Sequence, residues 1–179
     1  MEIGIVDDNV QLSRQLIQKL SLAEEVKILF NVERGRKAID WLKDNLQKPD
    51  IILMDIEMPD MDGIETTFRI KQQYPGIRIL MLTVFESEEK IFNAIKAGAT
   101  GYLLKDEKLD VMLRAFDEIM EGGVPMSRSI AAKSLQMMLK GYKPEGKVPF
   151  NQESDEQLTK REIEMLENLS LGLKNQEIA

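Results

Sequence analysis

Residues 51–55, Ile-Ile-Leu-Met-Asp, put four apolar side chains in a row ahead of one acid, and Pro59 closes the stretch. A continuous apolar run of this length after Pro49-Asp50 reads as a strand buried on both faces, as in the middle of a parallel sheet. Asp55 then stands at the carboxyl end of that strand, where open α/β sheets bind their ligands. Alone, an acid before a proline-containing loop is turn chemistry more often than a site. Three other strand-like runs change the weighing. Ile3-Gly4-Ile5-Val6 ends on Asp7-Asp8, Ile79-Leu80-Met81-Leu82 on Thr83, and Gly101-Tyr102-Leu103-Leu104 on Lys105. As parallel neighbours, these four strands bring three carboxylates, a hydroxyl and an amine to one rim. Two carboxylates ~4 Å apart repel by about 4 kcal/mol at an effective dielectric of 20, so such a rim either takes up a proton or gathers cations.

Helical patterns separate the strands. Leu12, Leu16, Ile17 and Leu20 recur at helical spacing, then Val26–Phe30 reads as a strand, and Ala38, Ile39, Trp41, Leu42 and Leu46 mark a second helix. Asp62-Gly63-Ile64-Glu65 fits a capping box at the start of a third, which makes Asp62 a cap rather than a ligand. Ser87 opens a fourth helix that turns Ile91, Phe92 and Ile95 inward. A fifth runs from about Leu109 to Glu121, with Leu109, Met112, Leu113, Phe116 and Met120 on its inner face. Five strands alternating with five helices predict an α/β fold: a flavodoxin-like, doubly wound parallel sheet in the order 2-1-3-4-5 with right-handed crossovers. Trp41, the single tryptophan, falls on an apolar helix face and is read as core.

Composition removes several chemistries. The chain has no cysteine and no histidine, which excludes disulfides, thiolate catalysis, imidazole acid–base chemistry and the usual transition-metal ligands. The formal charge of −7 lies in residues 1–121, with 23 acids against 16 bases, while residues 122–179 balance at 8 of each; neither part is a basic nucleic-acid footprint. No run approaches the ~18 apolar residues of a membrane span, and the N-terminus begins a strand at once instead of a signal sequence, so a cytoplasmic location is expected.

Asp7, Asp8, Asp55, Thr83 and Lys105, together with Met58-Pro59-Asp60-Met61-Asp62-Gly63, resemble in order and spacing the receiver domain of two-component response regulators. The resemblance implies an aspartyl phosphate on Asp55, the nucleophile, received from a phosphohistidine of a sensor histidine kinase. It implies Mg²⁺ held by Asp8, Asp55 and the backbone oxygen of Glu57, with Asp7 acting through water. Lys105 would balance charge on the transferring group, and Thr83 and Tyr102 would form a switch in which Thr83 donates to the phosphoryl group while Tyr102 rotates inward. One departure is Asp106, which follows Lys105 where many receivers have proline, often with a cis bond; a cis peptide is costly for any other residue.

Gly122-Gly123-Val124-Pro125-Met126-Ser127 ends the first domain, and Ile130, Leu135, Met138 and Leu139 then recur at helical spacing, with Ser127 placed to cap. Gly141, Pro144, Gly146 and Pro149 have the composition of a tether. Thr159-Lys160-Arg161-Glu162 is a second capping box before the stripe Ile163, Leu166 and Leu169, and Gly172 stops that helix. This stretch resembles the opening of the helix-turn-helix output domain of NarL/FixJ (LuxR-type) regulators. The expected organisation is therefore a receiver at 1–121, a linker helix and flexible tether at 122–157, and a partial helix-turn-helix at 158–179, with the groove-reading helix falling after Ala179. The resemblance implies transcription control, homodimerisation on phosphorylation, DNA contact only through a complete output domain, and no membrane partner. Two alternatives stay open. One is a receiver that works by protein contact or as a phosphate sink. The other is an aspartyl-phosphate phosphatase of the haloacid dehalogenase type, in which Glu57 would be the general acid, although Pro59 and the rest of the pattern fit it poorly.

Overall fold

Among the described residues, the apolar runs form strands and the 3.6-period runs form helices. The computed structural model describes residues 1–84 and 87–139. In chain order the elements are β1 (Glu2–Val6), α1 (Val10–Leu20), β2 (Lys27–Val32), α2 (Gly35–Asp44), β3 (Ile51–Asp55), α3 (Gly63–Gln73), β4 (Arg78–Thr83), α4 (Glu88–Lys96), β5 (Gly101–Leu104), α5 (Leu109–Met120) and α6 (Arg128–Leu139). The five strands make one parallel sheet in the order β2-β1-β3-β4-β5, the expected flavodoxin-like topology. The expectations for residues 140–179, the tether and the helix-turn-helix, lie outside the described residues.

Strand alternation sorts side chains to the two faces. Ile3, Ile5, Leu53, Leu80, Leu82 and Leu103 pack with Leu20 of α1 and with Met112, Phe116 and Ile119 of α5. Met81 points to the other face, where Thr67 of α3 donates to its sulfur at 3.6 Å. Every residue of β3 is buried, as its unbroken apolar run requires. Three caps fix helix starts above the carboxyl rim. Asn9 Oδ1 accepts from the N–H groups of Gln11 and Leu12 (both 3.1 Å), Asp62 Oδ1 accepts from Glu65 N–H (2.7 Å), and Ser87 Oγ accepts from Lys90 N–H (3.2 Å).

Some expectations are corrected in detail. The reciprocal half of the box at Asp62 does not form, because Glu65 pairs with Arg69 one turn along α3. β2 begins one residue later than expected and extends through Asn31 to Val32; the polar Asn31 is exposed, and its Oδ1 accepts from Ser13 Oγ at 2.7 Å. Leu46 lies past the end of α2 and is fully exposed, Ile95 turns outward on α4, and α5 buries Ile119 in place of Met120, which sits 100° further round the helix. Trp41 is half-buried, its ring tilted against Phe30 with centroids 4.4 Å apart. On α6, Ile130, Ser134 and Met137 form the buried stripe, whereas Leu135 and Leu139 face outward.

One glycine ties the fold to the rim. A Cβ on Gly63 would lie 1.8 Å from the carbonyl oxygen of Asp55, so only glycine lets the first turn of α3 approach the end of β3 this closely. Gly63→Ala is accordingly expected to destabilise the chain by about 3 kcal/mol or more, overriding the ~1 kcal/mol helix advantage of alanine. Urea unfolding checks this; an unchanged midpoint would mean that the close approach is dispensable.

Candidate functional site

The rim forms where the strand order reverses. β1 and β3 are adjacent while their helices pack on opposite faces, which opens the crevice at which doubly wound sheets bind ligands. Asp7 follows β1, Asp55 and Thr83 are the last residues of β3 and β4, and Lys105 follows β5. Asp7 and Asp55 are both buried, and Lys105 lies between them, its Nζ 2.8 Å from Asp7 Oδ2 and 2.9 Å from Asp55 Oδ2. Asp8 is exposed beside them. Carboxylate oxygens of Asp7, Asp8 and Asp55 lie within 4.8 Å of one another. Four of the residues singled out in the sequence thus meet at one point, and Thr83, fully buried, stands at the end of the adjoining strand with its carbonyl accepting from Lys105 N–H at 2.9 Å.

Electrostatics at this point are unbalanced. Burial pushes the Asp55 carboxyl up from 3.8 to about 6; Lys105 opposes the rise by charge and hydrogen bond, and the charge of Asp7 adds to it. One lysine is too little cation for the carboxylates around it. The donor set is all oxygen, which suits a hard divalent cation that binds one or two carboxylates and keeps several waters. Within that set Asp7 has both oxygens engaged, Oδ1 by the N–H of Asn9 (2.9 Å) and Oδ2 by Lys105. Asp8 carries no such burden and is open to solvent.

Glu57 stands two residues past Asp55 with its carboxylate turned onto Lys90 of α4 in an ion pair. Asp62 caps α3. Tyr102 is fully buried, on the opposite side of β5 from Leu103 and α5, so an inward rotation has no exposed starting position here. None of the described peptide bonds is cis, including Lys105–Asp106. Sequence reasoning missed the contacts of the β5–α5 loop: Lys19 Nζ donates to Glu107 O (2.9 Å) and Ser127 Oγ donates to Glu107 Oε1 (2.6 Å). No local pattern announces bonds spanning 88 and 20 residues.

A five-stranded 2-1-3-4-5 sheet whose rim joins an aspartate pair, a central aspartate and a bridging lysine defines a receiver domain. Residues 3–117 match the response regulator receiver domain family, and the chain belongs to the two-component response regulators of the NarL/LuxR type. Over its whole length it is 35% identical to the transcriptional regulatory protein LnrK of Bacillus subtilis (strain 168), covering 81% of that protein. It is 32% identical to the response regulator protein VraR of Staphylococcus epidermidis, again over its whole length and 80% of the relative. Among solved structures it is similar to a LuxR-family two-component response regulator from Aurantimonas sp. SI85-9A1, with a TM-score of 0.67 and 25% identity over 77% of this chain and 97% of that one. It also resembles the signal receiver domain of the putative response regulator NarL from Mycobacterium tuberculosis, with a TM-score of 0.62 and 26% identity over 68% of this chain and 96% of that one. Among the described residues no helix is long and apolar enough to cross a membrane.

Proposed function

We propose that Asp55 accepts a phosphoryl group from a phosphohistidine of a sensor kinase and that the modified chain controls transcription as a homodimer through a C-terminal helix-turn-helix domain. The observation that carries this reading is Lys105 held 2.9 Å from Asp55 and 2.8 Å from Asp7, a buried nucleophile already paired with the cation its product needs. In the transfer, a carboxylate oxygen of Asp55 forms the new bond to phosphorus as the bond from phosphorus to the donor nitrogen breaks. The lysine stays protonated and exchanges its hydrogen bond to Asp55 for one to a phosphoryl oxygen, balancing negative charge where it develops. Mg²⁺, held by Asp8, Asp55 and the Glu57 backbone oxygen with Asp7 acting through water, would supply the rest of that charge balance. The engagement of both Asp7 oxygens supports the indirect role for Asp7.

The proposed organisation is a receiver at 1–121, a linker and tether at 122–157 and the start of a helix-turn-helix at 158–179, in a cytoplasmic protein. Support for the output comes from relatives called transcriptional regulatory proteins that align over this whole chain. The reading is tested by incubation with acetyl phosphate: incorporation is expected in Mg²⁺ and absent with chelator, and metal-independent incorporation would contradict it.

Thr83 is proposed to report the modification, donating its hydroxyl to a phosphoryl oxygen, with the buried Tyr102 filling space beside it. Moving a two-state population from 1:99 to 99:1 needs ~5.5 kcal/mol, and charge-assisted hydrogen bonds contribute about 1.5–3 kcal/mol each, so two or three new contacts suffice. Thr83→Ala is expected to take up phosphate at Asp55 yet to leave α4 unchanged, as read from amide chemical shifts. Shifts around α4 matching those of the phosphorylated wild type would refute the coupling.

A further inference from the structure

The segment joining α5 to α6 has no part in the chemistry above, yet it is built into the sheet. Gly122, at φ 91°, turns the chain after α5, and residues 125–127 then run parallel to β5. Tyr102 N–H donates to Pro125 O (2.9 Å) and Ser127 N–H donates to Tyr102 O (3.1 Å), pairing Tyr102 with Met126. Gly101 allows the approach, since a Cβ there would lie 2.7 Å from Leu80 Cδ1 and 2.9 Å from Pro125 O. The edge of β5 is thereby covered. Beyond the bridge, α6 packs against α4 with Ile130 and Met137 buried.

The Ser127 hydroxyl does not cap α6, as its position in the sequence suggested. It accepts from Leu104 N–H at 3.1 Å and donates to Glu107 Oε1 at 2.6 Å. Those two residues bracket Lys105, whose own N–H is held by Thr83 O at 2.9 Å, while Lys19 ties Glu107 O to α1 at 2.9 Å. The loop that delivers the lysine to Asp7 and Asp55 is thus fixed from outside, in part by a buried hydroxyl belonging to the linker.

We infer that Ser127 is a positioning residue for Lys105 and that, through it, docking of the linker is coupled to phosphoryl chemistry at Asp55. The inference rests on the reading of Asp55 as phosphoacceptor. Its physical content is that a catalytic ammonium displaced by a fraction of an ångström loses most of its advantage in the transition state. Coupling of this kind is reciprocal, so a change at Lys105 also alters how firmly the linker is held.

The test uses the 179-residue chain and two readouts. In acetyl phosphate and Mg²⁺, Ser127→Ala and Glu107→Ala are expected to incorporate phosphate about tenfold more slowly than wild type. Glu107→Gln keeps the acceptor oxygen and is expected to hold the wild-type rate. Glu107 lies on a half-exposed loop, so its variants separate positioning from folding. Independently of labelling, Lys105→Met is expected to raise deuterium uptake across 125–137. Wild-type labelling rates in both alanine variants, or unchanged uptake in Lys105→Met, would overturn the coupling. A wild-type chain that takes no label would overturn the reading of Asp55 and the positioning role with it, while raised uptake in Lys105→Met would still support the link between loop and linker.

Discussion

Asp55→Asn is expected to take up no phosphoryl group from acetyl phosphate and, without Mg²⁺, to be more stable than the wild type. The first result follows because the amide keeps the volume of the side chain but is no nucleophile. The second follows from the raised pKa. With 3.8 in the unfolded chain and about 6 in the folded one, the folded state holds the Asp55 proton more tightly. Stability therefore falls as pH rises through that interval, and the penalty is complete above about 6 and absent below 3.8. At pH 7 it is worth up to about 3 kcal/mol, at ~1.4 kcal/mol per pKa unit, and asparagine escapes it. A gain of about 1–3 kcal/mol in urea unfolding at pH 7, shrinking toward pH 4, is the expected signature. Loss of stability in the variant would show that Lys105 over-compensates the buried charge.

Lys105→Met is expected to act in the opposite sense. The methionine fills much of the lysine's volume but leaves two buried carboxylates without the cation now 2.8 and 2.9 Å from them. Removing one partner from a buried ionic cluster costs about 3 kcal/mol or more, and loss of charge balance in the transition state slows transfer by about 10²–10³. Because a proton can replace the missing cation, the stability deficit should narrow as pH falls from 7 to 5. Mg²⁺ at pH 7 should narrow it as well. A variant as stable as wild type at pH 7 without metal, labelled at a similar rate, would remove the lysine from the account.

The convergence of Asp7, Asp55, Thr83 and Lys105 on one rim is legible because its parts are local: each of these residues ends an apolar run, and the order of runs fixes which ends become neighbours. Asp62 and Ser87 are legible as caps for the same reason, their partners being three residues away. What escaped depends on tertiary approach. By its place in the chain Ser127 fits a cap, and nothing near it reveals that Leu104 and Glu107 lie within hydrogen-bonding distance. A helical stripe is wide enough to include Met120 and Ile95, and only the position of the neighbouring elements decides its edge, which leaves both exposed. Burial of Tyr102 had a similar origin. Its fully buried side chain sits on a strand whose outer edge is covered by residues 125–127, a pairing that no periodicity encodes.

The central claim is that Asp55 carries the phosphoryl group. Wild-type chain incubated with acetyl phosphate and Mg²⁺, reduced with borohydride and digested for tandem mass spectrometry, should show homoserine in place of Asp55 and unmodified Asp7 and Asp8. Homoserine at either of those positions, or acid-stable phosphate on a serine or threonine with Asp55 intact, would contradict the account.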